Sequence, residues 1–343
     1  MVPIDSPQSD FNAAPRYRFN KRGLLLASLF LLPLFLGGIY AAYNWTQEFW
    51  VRDGNGPNSA LAFPFGGNRP AETDYVMPAA EKNRYDILIL GIRGKDDPDG
   101  GNLTDTIMLF SLDKTTHQST IVSIPRDFYV RIGNDYSDKI NAAYEYLGLK
   151  GTEKLVSKIT GVYVDNGIVF DLSGFKKLID DIGGVDIVLD QPFEETTQWG
   201  YVFRLPAGLN HLDGENALYY VRSRYSSSDF DRARRQQQIM LAIKNKLIGM
   251  DFLSDPIRSL SLLNTLKSNI QTDINILDIK GLIQLAQQID ATKVKRHVLS
   301  TLDYLYESRG DAGMYILLPQ GDNFVRLKGF FQTILTPATG SKS

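Results

Sequence analysis

The 343-residue sequence contains no cysteine, and this absence removes several kinds of chemistry at once. A chain without cysteine forms no disulfide, has no thiol nucleophile and cannot build a cysteine-ligated zinc or iron–sulfur site. Histidine is scarce as well, and the three present lack the spacing of metal ligands: His117, His211 and His297. Each of them is therefore interpreted as a surface or packing residue.

The sequence also lacks an excess of either charge. Its 37 Lys and Arg residues nearly balance 39 Asp and Glu residues, so no global positive field draws the chain toward nucleic acid, and any anion site must be local. Three nucleotide or nucleophile motifs are missing too: the Walker A loop, the G-x-S-x-G elbow and the dinucleotide fingerprint. What is present is 43% hydrophobic residues, enough for a substantial core.

The N-terminal part contains an uncharged apolar run over residues 23–44. At about 1.5 Å per residue a helix of this length reaches roughly 33 Å, which is enough to cross a bilayer core. Basic residues precede the run and aromatic residues follow it: Arg16, Arg18, Lys21, Arg22, then Tyr40, Tyr43, Trp45, Trp50. This arrangement predicts a cytoplasmic tail over 1–22 and an extracytoplasmic remainder. A cleaved signal peptide fits less well, because the run is long and no small-x-small cleavage site follows it.

The rest of the chain divides into a linker, one domain and a short tail. Residues 45–83 are rich in proline and glycine and have no helical or strand periodicity, which predicts a tether. Residues 84–336 then alternate short β-rich runs with helical patterns, as expected of an α/β sandwich, and 337–343 form a tail. Predicted strands are 87–90, 106–112, 119–124, 185–189, 295–299 and 315–318. Predicted helices are 152–160, 172–182, 214–220, 230–248, 256–268, 276–288 and 323–334.

The most informative stretch is YVRSRYSSSDFDRARRQQQIMLAI, residues 220–243. Arg222 and Arg224 are two positions apart, so on an extended segment they point the same way. A capping box at Ser228-x-x-Asp231 predicts a helix start, after which one helical face carries Arg232, Arg235, Gln236 and Ile239.

That face predicts a diphosphate clamp at a helix N-terminus. The fixed fork of an arginine matches phosphate oxygens, and helix N-termini attract anions. The alternative is a solvated face or a basic patch for nucleic acid. Two points weigh against it, since the compartment excludes nucleic acid and the arginines share a stripe that continues as core through Ile243 and Leu247.

Five segments in order resemble the signature motifs of the LytR-CpsA-Psr family. They are LTDTIML (103–109), SIPRD (123–127), KINAAY (139–144), LDGENAL (212–218) and the arginine block. The resemblance covers the chain from Tyr85 to about Leu335, and a single N-terminal anchor is typical of the family.

The resemblance implies a three-layer α/β/α sandwich with a central mixed sheet and an apolar groove for a polyprenyl tail. It implies transfer of a phosphate-linked glycopolymer, such as a teichoic acid or capsular polysaccharide, from a polyprenyl diphosphate to peptidoglycan or another wall glycan. Asp105 corresponds to an aspartate that binds Mg²⁺ (or Mn²⁺), and Arg126 to an arginine near the scissile phosphate. Arg222 and Arg224 correspond to the pair that grips the diphosphate. The remaining polar shell corresponds to Asp229, Arg232 and Gln236, with Lys139 added by analogy.

The sequence departs from the family pattern after the first strand. Leu90-Gly91 is followed by Ile92-Arg93-Gly94, where many members have an aspartate and an arginine. Arg93 is expected to join the anion site, and Asp96, Asp97 or Asp99 is a weaker candidate for the missing carboxylate. This loop is not an EF-hand, because Met108 stands where the bidentate glutamate belongs.

Phosphoryl transfer needs positioning and positive charge more than covalent help, so arginines and one metal-binding carboxylate suffice. The base that deprotonates the acceptor hydroxyl is left open among Asp105, Asp127 and Asp229. Two further functions fit the same residues: hydrolysis of a polyprenyl diphosphate, and a lipid-binding envelope regulator without turnover. Direct transcriptional control does not fit an external domain.

Overall fold

The computed structural model describes residues 75–94, 97, 101–133, 136–225, 227–249, 270–275, 287–310 and 313–336. A six-stranded sheet in the order β11-β6-β1-β2-β3-β12 forms its centre. The strands of this sheet are β1 (Arg84–Gly94), β2 (Gly101–Asp113), β3 (Ser119–Ser123), β6 (Asn166–Phe170), β11 (Ile270–Thr272) and β12 (Lys295–Val298).

Short ribbons and helices complete the described part. The ribbons pair β4 (Tyr129–Arg131) with β5 (Ser137–Lys139), β7 (Val185–Leu189) with β10 (Gly208–Leu212), β8 (Phe193–Glu195) with β9 (Phe203–Leu205), and β13 (Leu305–Arg309) with β14 (Tyr315–Pro319). The α-helices are α1 (Ala143–Thr160), α2 (Leu172–Asp181), α3 (Gly214–Arg222), α4 (Asp229–Gly249) and α5 (Val325–Leu335).

The sheet is mixed, as predicted. β1 pairs with β2 and β2 with β3 antiparallel, while β6 runs parallel to β1 and β12 parallel to β3. The parallel partner β6 was missed by the sequence reasoning because it is only five residues long and begins Asn-Gly, a weak strand signal. Gly167 has a packing role there, since a Cβ would lie 2.5 Å from Leu149 of α1.

Helices pack on both faces of the sheet. Leu88 and Leu90 of β1 point to the face covered by α1 and α5, while Ile89 and Met108 point to the face that carries α4. Because side chains alternate along a strand, each buried strand supplies both cores, and this explains the continuous apolar runs in the sequence. A further cluster joins α2, α3 and α4 to the β7–β10 ribbon beside the second face.

The predicted elements within the described residues agree with the structure to within a few positions, with one extension. The helix predicted over 152–160 is the second half of α1, which begins at Ala143 and contains a break at Gly148 (φ 65°). Only glycine adopts such a conformation without strain, so the break accounts for the shorter prediction.

An aromatic residue ahead of β1 joins the folded region. Tyr75 lies within the stretch interpreted as linker, yet its ring packs edge-on against Phe324 at 5.1 Å, and its hydroxyl accepts the Arg131 backbone N–H at 2.9 Å. Packed contacts thus occur ahead of β1, within the range interpreted as linker. A single packed aromatic next to prolines gives no periodic signal.

Several predictions lie outside the described residues: the tail over 1–22, the membrane span over 23–44, the C-terminal tail, the helix over 256–268 and nearly all of that over 276–288. Among the described helices, none has the length and apolar character needed to cross a membrane.

The core contributed by α5 gives a direct test. Phe331 is fully buried against the sheet face that α1 also covers. Phe331→Ala should lower the free energy of unfolding by about 3–5 kcal/mol, because it leaves a cavity among packed side chains. Denaturant unfolding of the purified protein measures this. Val325→Ala, on the same helix but 68% exposed, should change stability by less than about 0.5 kcal/mol.

Candidate active site

One cavity of about 280 Å³ lies where the end of β1, the start of β2, the end of α3 and the start of α4 meet. Its wall combines two kinds of residue. The charged residues are Arg93, Asp105, Arg222, Arg224 and Arg232. The apolar residues include Met108, Phe170, Leu172, Phe175, Leu218, Val221 and Met240. The cavity can therefore accept a molecule with a strongly anionic part and a hydrocarbon part.

The predicted capping box positions the arginines of α4. The Ser228 hydroxyl accepts the Asp231 backbone N–H at 3.1 Å, and the Asp231 carboxylate accepts the backbone N–H of Ser228 at 3.1 Å. This fixes the first turn of α4 at the cavity. Arg232 then lies on the inner face with only 6% of its surface exposed, where it donates to Asp229 at 2.8 Å.

Arg126 connects the charged groups. Its Nη1 donates to Asp105 at 2.6 Å, and its Nε lies 3.8 Å from both Asp127 and Asp229. Burial acts to lower the pKa of Arg126, but the three carboxylates outweigh it and the pKa is raised. The arginine therefore stays charged.

Asp105 stays ionised for the complementary reason. Burial acts to raise its pKa, yet Arg126, Arg232 and Arg93 together hold it below the ordinary value. The Arg93 Nε lies 3.4 Å from the second carboxylate oxygen. The aspartate is thus an anion enclosed by cations at the edge of the cavity.

Two guanidinium N–H groups of this cluster are buried without a hydrogen-bond acceptor among the described residues. Within the described part of the chain, the Nε atoms of Arg126 and Arg232 have no hydrogen-bond partner although both are buried. An unpaired buried guanidinium N–H is costly, and an anionic oxygen is its natural acceptor.

Asp97 is one of the three loop aspartates that the sequence offers as weaker candidates for the missing carboxylate. Its two carboxylate oxygens lie 3.7 Å from Arg93 and 3.5 Å from Arg222. From the sequence alone the loop aspartates are weaker candidates for the anion site than Arg93, because their spacing matches no known motif. The structure shows that Asp97 bridges two arginines of the cavity wall.

Gln198 and Trp199, which precede β9, hold the end of α3 and the residues after it in place. The Gln198 side chain donates to the Arg222 carbonyl at 3.1 Å and accepts the Arg224 N–H at 2.8 Å. Trp199 donates from its indole to Ser223 at 3.1 Å. Arg222 is the last residue of α3, so the extended segment expected from the sequence begins only at Ser223. Because these bonds flank Ser223 on both sides, they fix the turn out of the helix that directs Arg222 and Arg224 to one cavity. Nothing in the sequence pattern pointed to Gln198.

Within the described residues there is no group of three or more Asp, Glu or His side chains that forms a metal site.

Comparison with known proteins agrees with this geometry. The LytR_cpsA_psr family model matches residues 64–326. The chain belongs to the LytR-CpsA-Psr family.

Relatives and solved structures extend the comparison. The Oceanobacillus iheyensis polyisoprenyl-teichoic acid–peptidoglycan teichoic acid transferase TagU is 31% identical over 76% of this chain and 78% of its own length. The crystal structure of Bacillus subtilis TagV superposes with a TM-score of 0.61 at 26% identity, covering 75% of this chain and all of that one. A structure of TagT bound to LIIa-WTA gives a TM-score of 0.57 at 25% identity, with coverage of 74% and 91%.

Two predicted site residues of this LytR-CpsA-Psr protein do not reach the cavity. Arg235 is 7% exposed and donates to the carbonyls of Tyr220 and Ser223 and to the Ser227 hydroxyl. The predicted binding face of α4 included one residue too many. Arg235, three positions after Arg232, points toward the end of α3 and the residues that follow it. Arg235 is thus a structural clamp on that loop and not a wall residue.

Lys139 is the second. Its ammonium group bonds Asp127 at 2.6 Å and lies outside both the large cavity and the small crevice between Asp105, Arg126 and Asp229. The other predicted positions do meet here: Arg93, Asp105, Arg222, Arg224, Arg232 and Gln236 line the cavity, and Arg126 and Asp229 line the adjoining crevice.

Removing the Gln198 side chain tests whether its two hydrogen bonds set the positions of Arg222 and Arg224. Gln198→Ala should weaken binding of inorganic diphosphate about tenfold, because two hydrogen bonds that align Arg222 and Arg224 are lost. Isothermal titration calorimetry measures the affinity. Gln332→Ala, on the exposed side of α5, is the matched control and should leave it unchanged. Equal affinity of the Gln198→Ala protein and wild type would show that the arginines need no such support.

A second test separates Arg235 from its neighbour. Arg235→Ala should lower the free energy of unfolding by about 2–4 kcal/mol, since it leaves buried carbonyls without a donor. Arg234→Ala removes an exposed arginine paired only with Asp231, and should cost less than about 0.5 kcal/mol. Similar losses for both variants would contradict the assigned role.

Proposed function

We propose that this protein transfers a phosphate-linked wall glycopolymer from a polyprenyl diphosphate carrier to peptidoglycan. The observation that carries the proposal is the cavity, in which arginines and an apolar wall lie side by side. The names of the relatives support it, since they are teichoic acid transferases that act between polyisoprenyl-linked teichoic acid and peptidoglycan.

The two halves of the cavity suit the two parts of such a donor. Arg222, Arg224 and Arg232 supply planar forks for the diphosphate oxygens, which lysine would offer only as point charges. The aromatic and aliphatic wall suits the polyprenyl chain, whose burial is favourable in proportion to its apolar area. A purely soluble sugar phosphate would leave this apolar half unused.

Arg126 is assigned to the reacting phosphate. It stands between Asp105 and Asp229 and is held charged by three carboxylates, so it can stabilise negative charge on the equatorial oxygens during transfer. The acceptor hydroxyl loses its proton as its oxygen bonds the glycan-linked phosphorus, while the bond from that phosphorus to the bridging oxygen breaks and polyprenyl phosphate leaves. Asp105, Asp127 and Asp229 all lie at Arg126, and any of them would be close enough to take that proton.

A divalent cation, Mg²⁺ or Mn²⁺, fits beside Asp105 under one condition. Mg²⁺ is commonly held by one or two carboxylates together with substrate phosphates and water. Asp105 is ionised, and the Asp97 carboxylate lies beside two arginines of the wall. Among the described residues no three acidic or histidine side chains form a metal site, so we expect binding of the ion to depend on the diphosphate. When bound, the ion would neutralise charge on the phosphates.

The location follows from the same substrates. A polyprenyl carrier lies in the membrane and peptidoglycan lies outside it. We place the N-terminal span predicted over 23–44 in the cytoplasmic membrane, with the folded domain at its outer surface.

An assay with purified full-length protein tests the proposal. Lipid-linked glycopolymer, Mg²⁺ and peptidoglycan are the reactants, and glycan phosphate covalently attached to peptidoglycan is the expected product. Arg126→Ala should lower kcat by about a hundredfold or more, because charge stabilisation at the phosphate is lost. Arg234→Ala, an exposed arginine on the same helix as Arg232, should keep full activity.

The products separate the alternatives. Free glycan phosphate without attachment to peptidoglycan would identify a hydrolase. Tight lipid binding with no product of either kind would identify a binding protein, and both results contradict the proposal.

A further inference from the structure

A series of polar contacts, one of them through the Lys139 backbone, leads away from Arg126 to the β4–β5 ribbon. Asp127 lies 3.8 Å from Arg126 and accepts a bond from Lys139 at 2.6 Å. The backbone N–H of Lys139 in turn donates to the Asp138 carboxylate at 2.7 Å. These contacts place the β4–β5 ribbon directly beside Arg126 and Asp127.

The series ends in a pair of exposed aromatic rings. Tyr136 donates its hydroxyl proton to Asp138 at 2.5 Å, and its hydroxyl oxygen lies 3.2 Å from that of Tyr146. The two ring centroids are 4.8 Å apart with the planes tilted by 52°. Tyr136 is 38% exposed and Tyr146 58% exposed, so large parts of both rings face solvent.

This combination suits a sugar chain. A pyranose ring has an apolar face of C–H groups, which packs on an aromatic ring, and an edge of hydroxyl or amide groups, which bonds to carboxylates and hydroxyls. The tyrosine rings provide the first kind of contact and Asp138 the second. Tyrosine also gives large contact area at a low cost in side-chain entropy, as at other binding surfaces.

We propose that Tyr136, Asp138 and Tyr146 form a subsite for the acceptor glycan strand. This rests on the proposed function. The three-residue strand β5 separates Tyr136 from Lys139 by about 10 Å, so a strand bound on the rings can extend to Arg126 within a few sugar units.

Charge distinguishes the acceptor from the donor glycan. A phosphate-linked polymer is a polyanion, and it would meet the carboxylate of Asp138 beside the rings and Glu145 next to Tyr146 in sequence. Lys139 offers no compensation because its charge is paired with Asp127. The amide-bearing glycan backbone of peptidoglycan carries no phosphate, so its sugar rings lack the repeated negative charge that Asp138 would repel.

Co-sedimentation of the full-length protein with purified insoluble peptidoglycan tests the subsite without turnover. The double variant Tyr136→Ala/Tyr146→Ala should raise the half-saturating concentration about tenfold, since two stacking contacts are lost. The single variant Tyr146→Trp keeps a ring and should bind as wild type. Leu209→Ala, 73% exposed on β10, is the control for loss of an exposed side chain. Unchanged binding by the double variant, with its unfolding transition intact, would overturn the proposal.

Kinetics of transfer distinguish the two glycans. The double variant should raise the KM for peptidoglycan about tenfold, while the KM for the lipid-linked donor and kcat at saturating acceptor stay at wild-type values. A rise in the donor KM alone would assign the rings to the donor and refute the subsite. If wild type binds peptidoglycan through the tyrosines but transfers nothing, the proposed function fails and the subsite stands.

Discussion

The structure depends on mutual compensation among charges of opposite sign that are gathered around Arg126. Five arginines, at positions 93, 126, 222, 224 and 232, converge on one cavity and its adjoining crevice. Like charges this close repel strongly in a region of low dielectric constant. Asp97, Asp105 and Asp229 lie between them and offset much of the repulsion, yet leave the group with a net positive charge. A site built in this way is stabilised by its own ion pairs and keeps an excess of positive charge.

The sheet makes this arrangement possible because it brings distant parts of the chain to one edge. Arg93 is at the end of β1, Asp105 is in β2, and Arg126 follows β3. The antiparallel pairing of β1 with β2 sets the first two residues side by side, with register shifts after Gly91 and Ile92 where the cavity begins. α4 then crosses the second face and adds Arg232 from its first turn, while Gln237 fastens it to Ser123 and to the His297 carbonyl.

Sequence reasoning succeeded where local chemistry decides the structure. The buried strands, the capping box at Ser228 and Asp231, and the convergence of Arg222 with Arg232 all follow from periodicity or short-range bonding. It failed where tertiary contacts decide. Arg232 and Arg235 look equivalent on a helical wheel, but Arg235 instead bonds the carbonyls of Tyr220 in α3 and of Ser223 just after it. Gln198, like the packing of Tyr75, is determined by partners more than twenty residues away, which no local pattern encodes.

The long sequence separation between the cavity residues bears on how the chain matures. Asp105 and Arg232 are 127 positions apart, and they meet only after the sheet and α4 have docked. Contacts of this range form late, because the entropy of closing the loop must be overcome first. A partly folded chain thus lacks the assembled cavity with its facing arginines and carboxylates. The cavity is acquired together with native tertiary structure.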